Sequence, residues 1–569
     1  MLYYLGEDRQ SCARIIFDKI YGGDKMKIRD FRAKSFLMVT ACLVLFFFAG
    51  CGGGGGNGTS YISISGKITF DFVPATQTSG LDYLSTTQKP ARGVVVEAIG
   101  ASDSAILNSA TTDSSGNYTV SAPVNTDIII RVKAQMLKTG IPSWDFQVVD
   151  NTNSKALYVM DNASFNSGTT NITDKNLNAP SGWGGSSYTS LRVAAPFTVL
   201  DTVYKAVQKI ITADPTVTMP QLLINWSVNN VPTEGNKTLG QIGTTYYDPT
   251  EKQFYILGAE NNDTDEYDDH VIAHEWGHYF EDRFSRSDSI GGAHSSGDKL
   301  DPRVAFSEGF SNAFSGMATD DPCYIDTSGL YQATTGLFMD LEKNNSDTFS
   351  VGWFSEESVQ SILYDLYDSA DDGVDIISSG FSPIYDVLVN KQKNADSFTT
   401  IFSFTSFLKN NYAGNSIVPA GIDSLLANEN ITTTAIDEWD STGTETNDGG
   451  NPKSLPVYTK LTDENPSVRL CGDGQFGDYN KLMNRRFFYF VITSSGSYSI
   501  TAVPDLNGDP VIKLYSQGVI VGSVDRGLKG VTETLAVNLT PGYYVGEIYD
   551  WWHVNMFNST EECFDISLN

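Results

Sequence analysis

The chain has 569 residues, enough for three or four domains that each bury a core of their own. Its 38 Lys and Arg stand against 68 Asp and Glu, and the formal net charge of −30 argues against nucleic acid or an anionic membrane surface as partner. With 40% hydrophobic and 12% aromatic residues, the composition is that of a globular protein.

The N-terminal stretch has the order of a targeting segment. Lys27, Arg29, Arg32 and Lys34 form a basic region, Phe36 to Phe48 is almost wholly apolar, and Phe48-Ala49-Gly50-Cys51 closes it. The apolar run is too short for a transmembrane helix. This order resembles a bacterial lipoprotein signal peptide with its lipobox. The resemblance implies that residues 1–50 are a signal-peptide region, with Met26 as the better start, and that Cys51 is the lipidated first residue. Residues 51–58 are then a lipidated Cys and a Gly-rich tether. The expectation is an exported protein of the cell envelope, at the outer membrane or cell surface, that meets the membrane only through its lipid. Residues 1–50 carry eight basic and five acidic side chains, so without them the net charge falls from −30 to −33. In an oxidising compartment Cys471 and Cys563, which bracket a C-terminal domain, could pair, with other pairings open.

Residues 59–180 read as β-structure, with strands at Tyr61–Phe70, Gly93–Ile99 and Asp127–Val132 and a turn followed by a strand at Thr111–Val120. The order Gly-x-Ile, Gly-Val-x-Val, Thr-Asp-x-x-Gly-x-Tyr resembles the small prealbumin-like sandwich of carboxypeptidase regulatory domains, a family that is mostly structural or adhesive, and no site is read here. Helical spacing follows at Ala195–Thr212, then a strand at Gln221–Trp226. A hairpin comes next, Gly243–Tyr247 and Gln253–Gly258 around Asp248-Pro249-Thr250. A strand just ahead of a metal-binding helix suits substrate binding by strand addition, although an ordinary hairpin accounts for it equally.

The chemistry lies in Asp268-Asp-His-Val-Ile-Ala-His-Glu-Trp-Gly-His-Tyr-Phe-Glu-Asp282. Three of the five His (His270, His274, His278) fall in this stretch, and a fourth, His294, follows shortly after it. As a helix, it puts His274 and His278 one turn apart on one face, so both imidazoles reach one metal ion. Glu275 projects beside that ion as general base for a water. A catalytic zinc site needs a third protein ligand. Glu281 is seven residues past His274, about 10 Å along the axis, which is too far to converge. Glu308, in the helical pattern opened by Asp301-Pro302, is the better candidate. Asn312, one turn on, could hydrogen-bond the far nitrogen of a ligand His.

This sequence, H-E-x-x-H and then a helix carrying Glu, resembles the gluzincin metallopeptidases, the broad thermolysin-like group. Their fold would cover residues 185–450. The resemblance implies Zn2+ held by His274, His278 and Glu308, Glu275 as base, and a protein or peptide substrate. Two departures stand out: the gap from His278 to Glu308 is long, and Asn312 replaces an Asp. The polar loop Ser285–Leu300 fills the gap, and its His294 could stabilise the oxyanion, as it could be a solvated loop His. Trp353–Tyr367 reads as a helix capped at Ser355, with Tyr364 and Tyr367 as further oxyanion candidates. Asp368, Asp371, Asp372 and Asp375 could hold Ca2+, although their spacing does not fit an EF-hand.

Strands return over 455–569, at Phe487–Ile492, Ser497–Ile500, Pro510–Tyr515 and Gly542–Tyr549. Asp509–Tyr515 with Pro541–Val545 resembles the pre-peptidase C-terminal domain of secreted bacterial proteases. The expected architecture is multidomain, an α+β zincin catalytic domain flanked by N- and C-terminal β-sandwich domains. The expected function is that of a zinc metallopeptidase. A non-catalytic adhesion or binding lipoprotein on the same scaffold is the alternative, and a zinc hydrolase of non-peptide substrates would share the site.

Overall fold

The computed structural model describes residues 59–344, 350–369, 377–432, 437–439, 444–462, 464–556 and 559–569. The targeting segment, Cys51 with its tether, and Asp371, Asp372 and Asp375 of the expected Ca2+ cluster lie outside the described residues.

The N-terminal strands are β1 (Tyr61–Phe72), β2 (Val94–Gly100), β3 (Ile106–Thr111), β4 (Asn117–Pro123), β5 (Asp127–Lys138) and β6 (Trp144–Asp150). Alternation drives them. Along β5, Ile128, Ile130, Val132, Ala134 and Met136 are fully buried while their neighbours face outward. Each buried branched side chain there contributes roughly 1.5–3 kcal/mol. β1 pairs with β4 in one sheet; β5 and β6 belong to a second, larger one.

That larger sheet does not stop at residue 180. After helix α1 (Ala195–Ala213), strand β7 (Leu222–Trp226) pairs in parallel with β6. β9 (Gln253–Ile256) pairs in parallel with β7, and β8 (Tyr246–Asp248) closes the edge antiparallel to β9. The sheet thus runs in the order β8-β9-β7-β6-β5-β2-β3, across the boundary expected at 180–185. The cause is chemical: Leu222, Ile224 and Trp226 are buried, and β6 would otherwise leave its edge hydrogen-bonding groups open.

α1 and α2 (Asp269–Phe284) pack against this sheet, α3 (Pro302–Thr319) packs on α2, and α4 (Glu356–Tyr367) packs on α3. Tyr279 of α2 meets Phe146 and Phe254 of the sheet edge-on and donates its hydroxyl hydrogen to the Pro220 carbonyl. α3 is buried on all sides, from Pro302 to Ala318, which explains why its sequence shows no clean polar face. Asp301 caps it by accepting from the Arg303 N–H, and Pro302 opens it. A hairpin of β10 (Cys323–Ser328) and β11 (Thr334–Asp340) joins α3 to α4.

The C-terminal part is a sandwich. A five-stranded sheet takes the order 458–460, 485–492, 542–550, 510–516, 519–524, and a four-stranded sheet the order 467–472, 562–568, 496–504, 533–539. Phe488, Phe490, Ile500, Ile512, Leu514, Ile548 and Ile566 fill the space between them. A disulfide joins Cys471 and Cys563, which face each other on adjacent antiparallel strands.

Candidate metal centre and its cleft

The site depends on how closely α2 and α3 approach. A side chain at Gly277, the fourth residue of His274-Glu-Trp-Gly-His278, would place its Cβ 2.9 Å from the Ser311 Cα. One at Gly309 would come within 2.6 Å of the Glu356 carbonyl oxygen on α4. These two glycines let three helices stack without spacers. On the far side the contact is sealed by rings, with Trp276 stacked on Phe314 at 5.5 Å and Phe280 against Phe310.

The close approach brings His274, His278 and Glu308 together, each offering a donor atom within 4.8 Å of the others. The Nε2 atoms of His274 and His278 are 3.1 Å apart. Glu308 Oε2 lies 3.4 Å from the first and 3.2 Å from the second. The far ring nitrogens are held: His274 Nδ1 donates to Asn312 Oδ1 at 2.7 Å, and His278 Nδ1 sits 3.0 Å from Ser311 Oγ. Those bonds turn both Nε2 lone pairs toward the carboxylate oxygen. Three converging acceptors repel one another unless a cation lies among them. Ligands at about 2.0–2.1 Å around a tetrahedral ion are about 3.3 Å from each other, so the donor set and its spacing fit zinc.

The surrounding cleft has a volume of about 770 Å3. Glu275 lines it, and its Oε2 accepts the Tyr247 backbone N–H of edge strand β8 at 2.7 Å. Burial pushes the Glu275 carboxyl above the ordinary carboxylate range, with the His274 and His278 imidazoles pulling the other way. His294 also lines the cleft, from the loop between α2 and α3. Its Nε2 lies 3.6 Å from Glu308 Oε2 and 3.2 Å from Glu356 Oε2, while Nδ1 bonds the Gly292 carbonyl oxygen at 3.1 Å.

Other expected residues fall elsewhere. Tyr364 and Tyr367 do not reach the cleft. They stand eight and eleven residues beyond Glu356 on α4, about 12 and 16 Å along the axis. Tyr364 packs against Gly316, and the Tyr367 hydroxyl bonds Asp320. Their place as oxyanion donors is therefore corrected. Glu281, set aside as a ligand, is buried, accepts from Ser307 Oγ, and lies 3.9 Å from His278 Nδ1, behind the ring.

Several lining residues escaped the sequence. Glu356 looks like an ordinary acidic residue in the first turn of a capped helix, and nothing local marks it. Tyr324 sits in β10 with its ring 6.5 Å from that of His274. Asp263, Asp265 and Asp326, with carboxylate oxygens within 4.8 Å of one another, line the same cleft. No Lys or Arg does so among the described residues.

The Mycolysin C-terminal domain family model matches residues 211–416. This stretch is a little over a third of the chain and contains His274, Glu275, His278, His294, Glu308 and Glu356. The match relates the chain to secreted metalloproteases, in keeping with a metal cofactor and a protein substrate. No curated protein matches. Among solved structures, the pre-peptidase C-terminal domain of a Bacillus anthracis collagenase is 10% identical, covering 20% of this chain and 92% of that one, at a TM-score of 0.15. CorA, a surface-associated copper-binding protein of Methylomicrobium album BG8, is 10% identical over 20% and 96%, also at 0.15. The Aeromonas hydrophila periplasmic lysozyme inhibitor PliG is 11% identical over 20% and 97%, at 0.14.

Proposed function

We propose that the chain is an exported, lipid-anchored zinc metallopeptidase that hydrolyses protein or peptide substrates in the cleft between β8 and α2. The observation that carries this reading is the convergence of His274, His278 and Glu308 in the wall of the cleft, with Glu275 lining it beside them. Export and anchoring rest on the sequence of residues 27–51.

Zinc, when bound, supplies a Lewis acid that polarises the substrate carbonyl and acidifies a water. Glu275 accepts the proton of the attacking water as the new C–O bond forms, and its carboxyl then gives that proton to the amine nitrogen as the C–N bond breaks. The Tyr247 N–H holds one oxygen of Glu275, so the carboxylate is aimed before substrate arrives. His294 Nε2 donates to the carbonyl oxygen as it gains negative charge. Asn312 and Ser311 keep the two ligand rings from turning. β8 is the edge strand of its sheet and borders the cleft through Tyr246 and Tyr247, so an extended peptide can lie alongside it.

The test is zinc content and casein cleavage by the wild-type protein beside Glu275→Gln. The expected result is one zinc in each, with activity lower in the variant by about 10²–10⁴-fold, the range general-base catalysis supplies. Folded protein without zinc overturns the proposal. Zinc in both with cleavage by neither favours the adhesion or binding protein on the same scaffold.

A further inference from the structure

The loop from Ser285 to Leu300 carries His294 but has almost no regular structure of its own. A catalytic side chain on such a loop needs outside support, since a displacement of about 1 Å costs roughly 10²-fold in rate. The support comes from the C-terminal sandwich, where Lys481 stands 188 residues beyond Ala293 of the loop. Lys481 lies between two of its strands and is almost fully buried. An ammonium group in that setting must find an acceptor for each of its three hydrogens. Its Nζ lies 2.7 Å from the Ala293 carbonyl oxygen, 3.3 Å from Asp298 Oδ2 and 2.9 Å from Asn480 Oδ1.

Two of those acceptors flank His294, one on each limb of the loop. Asn480, fully buried, repeats the pattern. Its Nδ2 donates to the same Ala293 carbonyl at 3.1 Å, and its own carbonyl oxygen accepts the Asp301 N–H at 2.9 Å, just ahead of the Glu308 helix. Gly292 has a positive φ and lies against the Tyr479 hydroxyl, so the loop is seated against this segment as well as bonded to it.

We propose that Lys481 and Asn480 are positioning residues for His294, and that the C-terminal sandwich is thereby a working part of the catalytic site. Lys481 clamps both limbs of the loop, and the clamp fixes where the His294 ring meets Glu308 and Glu356. The kinetic part of this inference rests on the peptidase reading above. The structural part does not.

The experiment uses the full chain with Lys481→Met, which keeps the buried stem and removes the donors. Asp298→Ala, altered at a carboxylate about one-third exposed, is the second variant should the first misfold. Hydrogen exchange of amides 291–296 is expected to rise about tenfold or more in both, with α2 and α3 unchanged. Zinc content should stay as in the wild type, kcat should fall about 10- to 100-fold, and KM should move less than about twofold. In a His294→Ala background, Lys481→Met should add no further loss. Unchanged exchange in residues 291–296 overturns the proposal, and so does a loss as large without His294 as with it. If the wild type cleaves nothing, the peptidase reading fails, and the exchange result alone decides the clamp.

Discussion

Each group in the cleft is set by what stands next to it. The imidazoles of His274 and His278 are aimed by hydrogen bonds on their far nitrogens, so Asn312 and Ser311 govern the centre as much as the ligands do. The acidic wall across the cleft is governed by burial. Burial, with Asp263 adding repulsion, pushes the Asp326 carboxyl up to about 7. A carboxyl raised in the folded state contributes its full stability below its unfolded value near 4, and that contribution is lost as pH rises through about 7. Asp326→Asn should therefore raise the melting temperature at pH 8 and leave it little changed at pH 4. Equal shifts at both pH values would show that Asp326 does not titrate in this way.

At the scale of elements, the crossing of α2 and α3 decides whether the third ligand arrives. In an isolated helix Gly277→Ala would stabilise by about 1 kcal/mol. Here the added Cβ would lie 2.9 Å from the Ser311 backbone, and overpacking of this kind costs roughly 1–3 kcal/mol. The variant should be less stable than the wild type and bind zinc more weakly, because α3 carries Glu308 and must move back. A stabilised variant, measured by denaturant unfolding, would show that α3 yields without cost. The elements of this crossing were legible in the sequence: i,i+4 spacing marked α2, Asp301-Pro302 marked the start of α3, and Ser355 marked α4. Their faces were less so. Tyr364 and Tyr367 are as polar-tipped as an oxyanion donor should be, but the face of α4 that meets the cleft is its first turn. Only the packing of Gly309 against Glu356 reveals that. The support of His294 by Lys481 was hidden for a simpler reason, since no local pattern links positions so far apart in the chain.

At the scale of the molecule, the sandwich and the helical layer share buried charge. Arg303, in the first turn of α3, has 1% of its side chain exposed and pairs with Glu547, which is fully buried, at 2.9 Å. Arg485 pairs with the same carboxylate and Tyr515 donates to it. Burial opposes ionisation of Glu547, but the Arg303 and Arg485 guanidiniums hold its carboxyl down at about 2. Its contribution is thus complete above its usual value of about 4.5 and is lost as pH falls toward 2. Glu547→Gln would leave two arginines facing each other in the interior, at a cost of about 3–5 kcal/mol. Urea unfolding should read a loss of that size at pH 7 and a much smaller one near pH 2. A loss below about 1 kcal/mol at pH 7 would mean the junction tolerates separation.

The sheet that crosses residue 180 bears on how such a protein could be held inactive. Many secreted proteases are made with an N-terminal piece that leaves once a connecting loop is cut, which requires two bodies that can part. Here β6 belongs to the N-terminal piece and β7 to the part that carries the candidate metal centre, and the two are laced by backbone hydrogen bonds from Leu222 to Asn225. Cutting the chain near 180 would leave both pieces in place. Pulling them apart would bare Leu222, Ile224 and an open edge directly behind the strand pair that faces the cleft. A cut near residue 180 would therefore not by itself free residues 59–180 from the part that carries His274, His278 and Glu308.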